Sequence, residues 1–294
     1  MTFQAQLERM QLNLSGCIEG LDPIHLHDLR VANRRTRAAL VDFRKLLPPE
    51  ALQKYQDDFR WLHKVTGTVR DLDVGLSHFP VYEKKIPGNW RSHLTPSREL
   101  LVAKRQAAQA EMSAHLGSEK MRNFLNSWSA LLEGGALDES ELALEPAREY
   151  GCRRIVKRYQ KTRKHGLKLG KKSPAKQYHD VRIRVKELRY LIEFFSPALD
   201  PGEIARVRGE LKKVQDALGR FQDADVQVAS LIQLAKDLQS TEINVEPFLA
   251  LGQLVGIYEK EIRRGRKTSL KAVRWLASDA VAREFQSSFK YPIE

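Results

Sequence analysis

The chain has 294 residues, with 50 Lys+Arg against 37 Asp+Glu and a formal net charge of +13. Apolar residues make up 42% and charged residues 30%, the balance of a soluble globular protein long enough for one large domain or two smaller ones. No apolar run approaches the ~20 residues that span a bilayer, and two cysteines cannot build a disulfide framework or a Cys-rich zinc site.

Helical periodicity runs through the whole sequence. It predicts helices over Phe3–Glu19, Asp22–Leu47, Glu50–Leu76, Pro96–Leu116, Ser118–Leu132, Pro146–Leu169, Pro174–Phe195, Gly202–Leu238, Glu246–Arg264 and Thr268–Phe289. Asp22-Pro23, Thr95-Pro96 and Ser173-Pro174 read as a cap followed by a first-turn proline. Val81–Asn89, flanked by Pro80 and containing Pro87-Gly88, reads as a loop. Glu133–Glu145, with Gly134-Gly135 and several acids, reads as a second loop and as the boundary between 1–145 and 146–294. No alternating strand pattern is found, so the expected class is all-α. The opening MTFQAQLERMQLNLSG lacks a basic start and an apolar block, which predicts a cytosolic chain without a secretory signal.

The positive charge is concentrated. From Arg148 to Arg189 there are eight Arg and eight Lys against Glu149, Asp180 and Glu187, an excess equal to that of the whole chain. A dense basic zone on a neutral body predicts a polyanionic partner: nucleic acid, a phosphate polymer or an anionic surface. A merely solvated face carries mixed signs more often than this one does.

The chain also repeats itself. A gapless shift of 152 residues lays His27-Asp28-Leu29-Arg30 on His179-Asp180-Val181-Arg182, Arg34 on Lys186, Arg37 on Arg189 and Phe43 on Phe195. The same shift lays Gly67, Asp71, Asp73 and Val74 on Gly219, Asp223, Asp225 and Val226. At 100° per residue, His27, Arg30, Arg34 and Arg37 fall within a stripe of about 80°, away from Leu29, Leu40, Phe43 and Leu47. His179, Arg182, Lys186 and Arg189 repeat it. Arg153, Lys157, Lys161, Lys164 and Lys168 form another stripe of about 80°, opposite Ile155, Val156, Tyr159 and Leu167. Aligned like charges destabilise an isolated helix by a few tenths of a kcal/mol per pair, which a bound polyanion would offset. The first 20 residues carry only Arg9, so the binding surface is expected to be electrically lopsided.

These residues resemble the CHAD family, the conserved histidine α-helical domain. The pattern H-D-hydrophobic-R-x-x-x-[R/K]-x-x-R occurs at His27–Arg37 and His179–Arg189. G-x-x-R-D-x-D-V is intact at Gly67–Val74 and weaker at Gly219–Val226, where Gln222 replaces Arg70. The resemblance implies two pseudo-symmetric four-helix-bundle halves around a basic groove. It implies binding of inorganic polyphosphate and association with polyphosphate granules, without cofactor or catalysis. The E-x-E-x-K signature of the hydrolase domain to which some members are fused is absent: Glu139-Ser140-Glu141-Leu142-Ala143 lacks the Lys. The expected polyphosphate-binding residues are His27, Arg30, Arg34, Arg37, Arg153, Lys157, Lys161, Lys164, His179, Arg182, Lys186 and Arg189, with Arg34 and Lys186 facing ligand. Arginine supplies planar forks for phosphate oxygens and lysine mobile point charges.

Two rival readings stay open. The same basic surface would serve nucleic acid, although no helix-turn-helix, zinc-finger or RNP signature is present. A phosphate-chain enzyme would need a metal held by Asp71/Asp73 or Asp223/Asp225, residues better suited to orienting arginines or capping a bend. A metal at His27 would need more than His25-x-His27, and nothing comparable adjoins His179. A histidine among cations is expected to stay neutral.

Overall fold

The computed structural model describes residues 2–42, 44, 47–134, 145–239 and 244–290. Every regular element among them is helical: α1 (Phe3–Glu19), α2 (Pro23–Asp42), α3 (Pro49–Val65), α4 (Gly67–Ser77), α5 (Phe79–Lys85), α6 (Thr95–Leu116), α7 (Glu119–Glu133), α8 (Ala147–Leu167), α9 (Ala175–Phe195), α10 (Pro201–Leu238), α11 (Glu246–Leu276) and α12 (Asp279–Ser288). Short 3-10 turns cover Gly88–Leu94 and Ser196–Ala198. No described helix is long and apolar enough to cross a membrane. The Glu133–Glu145 loop, most of it, and Phe43 lie outside the described residues.

Two compact units emerge, and they interleave the chain. The first contains Met1–Val74, Ala103–Gly151 and Tyr190–Leu199; the second contains Gly75–Val102, Cys152–Arg189 and Asp200–Glu294. The division at 145/146 follows the sequence repeat, whereas these units follow packing.

In the first unit, α1, α2, α3 and α7 bury Leu7, Met10, Leu29, Leu40, Phe59, Leu62 and Met121. Trp128 anchors this core. Its ring meets Tyr55 at 4.7 Å, Phe59 at 5.3 Å and Phe3 at 5.5 Å between centroids, each edge to face. In the second unit, α10 and α11 pack along their length, and Phe79, Tyr82 and Leu94 join Leu231, Leu238, Leu251 and Leu254 in one core.

Several sequence expectations need correction, each for a physical reason. The predicted Val81–Asn89 loop contains most of α5, because Pro80 sits in the first turn, where its missing N–H costs nothing, while Phe79 and Tyr82 bury themselves. The predicted break between Arg264 and Thr268 is absent. Gly265 serves packing: a Cβ there would lie 3.1 Å from the Cα of Phe221, so its absence lets α11 close on α10. Conversely, the single helix predicted over Glu50–Leu76 breaks at Thr66, where Arg30 of α2 donates to the carbonyl of His63 and to the Thr66 hydroxyl. The shift of 152 places Leu218 at that position, and α10 runs through uninterrupted. Asp22 caps as expected, accepting from Ile24 N at 2.7 Å. Thr95 does not, having helical angles, and Ser173 turns back to accept from Gly170 N instead. Leu167, expected on the apolar face of α8, is 61% exposed.

Candidate anion-binding sites

The first unit gathers cations where α2 meets the α3–α4 bend. Arg30 Nη1 donates to His63 O and to Thr66 Oγ1, both at 2.8 Å. Arg70 Nη2 lies 3.1 Å from His27 Nδ1. A guanidinium only donates, so Nδ1 accepts and the ring proton of His27 is on Nε2. Arg34 is exposed, and its Nε donates to Tyr190 Oη at 3.1 Å. Arg37 is half-buried on the same helix. Burial lowers its pKa, and Arg60 lowers it further.

None of these arginines is seated on a carboxylate of a described residue. Arg30 feels Asp71, which is exposed, but burial and then Arg34, Arg70 and Arg37 draw its pKa below the ordinary value. Arginines beside the stripe are neutralised in the usual way: Arg9 pairs with Asp28 at 3.0 Å, and Arg35 with Glu193 at 3.4 Å. Asp73, the buried acid of the motif, pairs at 3.0 Å with Arg105 of α6 and not with the histidine helix.

His27 and His63 both resist protonation. Burial and Arg70 push the pKa of His27 down, Asp28 opposes them, and Arg34 and Arg9 add to the fall. His63 is pushed down to about 4 by burial and by Arg30, Arg37 and Arg34. His25, considered above as a metal partner for His27, lies 3.1 Å from Asn13 Oδ1 through its Nδ1. No group of three or more metal-ligating side chains occurs among the described residues.

The depressed His63 pKa makes stability depend on pH. The folded form resists protonation and the unfolded form does not, so between about 6.5 and about 4 the unfolded chain binds more protons. This contribution is complete above pH 6.5 and is lost as the pH falls toward 4. His63→Gln should flatten the fall in melting temperature across that window; an unchanged pH profile would contradict the assignment.

The second unit holds the other predicted residues. Lys157, Lys161 and Lys164 stand exposed on α8, and their side chains make no ion pair or hydrogen bond with a described residue. Arg153 is exposed but engaged within the chain. On α9, Arg182 pairs with Asp223 at 3.5 Å. Lys186, expected to face ligand, is half-buried and already engaged, as is Arg189. His179 is half-buried, and Gln222, standing where Arg70 does in the first copy, brings no guanidinium to it. His179 Nδ1 and Gln222 Oε1 are both buried without a hydrogen-bond partner among the described residues.

Sequence reasoning missed Arg70, Arg60, His63, Thr66 and Tyr190 as parts of the site. Arg70 was within reach, as the arginine of G-x-x-R-D. Tyr190 lies 156 residues from Arg34, and no sequence signal pairs them.

Structure and site together define an all-helical protein that carries histidine–arginine stripes on its helix faces. A family model, the CHAD domain, matches residues 2–231, and the chain belongs to that family. The chain is similar to the crystal structure of the CHAD domain from the plant Ricinus communis, with 25% identity, a TM-score of 0.74 and coverage of 94% of this chain and 88% of that one. It shares its fold with PptA from Streptomyces chartreusis at 17% identity and a TM-score of 0.68, covering 92% and 96% of the two chains. No curated protein matches it in sequence.

Proposed function

We propose that this CHAD protein binds inorganic polyphosphate without catalysis, through the arginine and lysine faces of its helices, and that it does so in the cytoplasm at polyphosphate stores. Family membership supports the ligand class. The observation that carries the reading is how the first unit positions its arginines: on a carbonyl and a hydroxyl (Arg30), an imidazole (Arg70) and a phenol (Arg34). Neutral acceptors fix a guanidinium without cancelling its charge. The charge therefore stays available to an anion, and the donors are already oriented when it arrives. A neutral His27 fits the same purpose, since its Nε2–H donates to a phosphate oxygen without adding repulsion to the cluster.

Lys157, Lys161 and Lys164 supply a second, mobile kind of contact. Polyphosphate has no bases to stack, so cations suffice for its recognition. The motif aromatics Phe195 and Phe221 are buried and offer no stacking platform. The paired acids that a metal-dependent enzyme would need are committed elsewhere in part, Asp73 to Arg105 and Asp223 to Arg182.

Arg34→Ala with Arg70→Gln tests this reading. The double variant should bind long-chain polyphosphate at least about tenfold more weakly, with unchanged helix content, since two charge-assisted contacts are worth roughly 1.5–3 kcal/mol each before screening. Tyr190→Phe should cost a smaller factor, through loss of positioning alone. Wild-type affinity in the folded double variant would refute the role of this cluster.

A further inference from the structure

Helix α11 carries a basic face outside the repeated histidine–arginine motifs. From Arg263 to Arg274 there are six cations and no acid. Arg266 turns inward, donating to the carbonyls of Lys171 and Ser173 and lying 5.3 Å from the ring centroids of both Tyr178 and Phe221. The other five, Arg263, Arg264, Lys267, Lys271 and Arg274, are exposed, and none makes an ion pair or side-chain hydrogen bond with a described residue. They fall within an arc of about 100° and along about 17 Å of helix. The preceding acid Glu261 is committed to Lys85.

The opposite side of α11 is fixed in the core. Gly265 closes on Phe221, Ser269 donates to Ala217 O at 2.9 Å, and Leu270, Val273 and Leu276 are buried. The cationic face therefore points to solvent. Within it, Arg263/Lys267, Arg264/Lys267, Lys267/Lys271 and Lys271/Arg274 are like-sign neighbours at i+3 or i+4, each pair weakening the helix by a few tenths of a kcal/mol, with Glu259 placed to oppose them, four residues before Arg263.

This face is distinct from the lysine stripe of α8. The two helices meet through Tyr159 Oη donating to Leu276 O, Arg163 Nε donating to Ala277 O, and the close approach of Gly166 to Val273. On each helix the cationic arc lies about 150° around the axis from those contact residues. One straight polymer segment does not lie between them. The α11 face also lies beyond residue 231, where the family match ends.

We propose that the Arg263–Arg274 face of α11 is a second docking surface for a phosphate polymer, so that one protein molecule holds two polymer segments and bridges them. This rests on the polyphosphate reading above. A linear array of cations one helical turn apart suits a linear polyanion. An interfacial membrane helix would show an apolar face beside its basic one, and here that face is buried. A single-stranded nucleic acid binder would interleave aromatics with the cations, and the exposed face offers only Trp275 at its far end.

The test is light scattering of the full chain mixed with long-chain polyphosphate, together with titration by short-chain polyphosphate for stoichiometry. The wild type should form light-scattering assemblies that dissolve in excess polymer, as bridging requires. Arg263→Glu with Lys267→Glu and Lys271→Glu should cut scattering at least tenfold and remove one binding event while the other persists. A control with the same charge change on exposed residues elsewhere, Lys84→Glu with Arg91→Glu and Arg98→Glu, should scatter as the wild type does. If the α11 variant scatters like the control, the bridging surface is refuted and polyphosphate binding stands. If the wild type binds no polyphosphate, both readings fall. Binding of the wild type, but not the variant, to anionic phospholipid vesicles or single-stranded RNA with no second polyphosphate event would reassign the face and overturn the proposal.

Discussion

Replacing Lys157, Lys161 and Lys164 together by Glu is expected to weaken polyphosphate binding about a hundredfold near physiological salt. Three contacts of about 1 kcal/mol each, after screening, amount to that factor. By analogy with nucleic acids, where each neutralised phosphate contributes almost one unit to the slope of log K against log salt, the variant's slope should also be shallower by about three. Folding should be indifferent, because the three ammonium groups are exposed and unpaired among the described residues. Replacing them with Glu even introduces favourable spacing to the remaining cations of α8. Isothermal titration at several salt concentrations, with circular dichroism alongside, separates the outcomes. An unchanged affinity and slope would make this stripe a solvated helix face and nothing more.

The largest expected effect on stability lies away from the site, at Trp128. Its indole is 1% exposed and packed edge to face by Phe3, Tyr55 and Phe59, and Phe59 meets Phe124 at 4.8 Å. Trp128→Ala should cost about 3–5 kcal/mol, the sum of lost burial and an unfilled cavity. Its Nε1 has no hydrogen-bond partner among the described residues, so Trp128→Phe should recover most of that loss. Denaturant unfolding followed by tyrosine fluorescence and far-ultraviolet dichroism measures both. A loss under about 1 kcal/mol for the alanine variant would show that this core collapses around the gap or is not the one that holds the unit together.

The helices were legible because their apolar period and their first-turn prolines act locally. What was not legible depends on neighbours distant in sequence. The predicted break between Arg264 and Thr268 disappears because Gly265 packs against Phe221, a residue more than 40 positions away. The Phe79–Lys85 helix is hidden by prolines that its burial tolerates. The break at Thr66 lies where Arg30, 36 residues away, donates to the carbonyl of His63 and the hydroxyl of Thr66. The site divides in the same way. A helical wheel places His27, Arg30, Arg34 and Arg37 on one side of α2, and all four are indeed on that helix. It cannot show that Arg30 is drawn to the carbonyl of His63, that Arg70 reaches back to His27, or that Tyr190 seats Arg34. Those contacts span 33, 43 and 156 residues, and they turn a row of like charges into an oriented set.

The asymmetry between the copies has the same origin. Exchanging Arg70 for Gln222 removes the guanidinium that would address His179, and Asp223 takes Arg182 into an ion pair. The second copy instead presents exposed lysines on α8. Under the proposed function, oriented arginines in one unit and mobile lysines in the other would be two ways to hold the same kind of anion.

Under the proposed function, the chain recognises an unadorned phosphate polymer. Competition binding of the full chain tests it most directly, with long-chain polyphosphate set against double-stranded DNA and single-stranded RNA of matched phosphate number at several salt concentrations. Arginines seated on neutral acceptors, with no accessible aromatic platform among the described motif residues, predict that polyphosphate wins clearly near physiological salt and that its advantage persists as salt rises. Equal or tighter binding of nucleic acid at matched phosphate number would contradict the claim and make these faces a general polyanion surface.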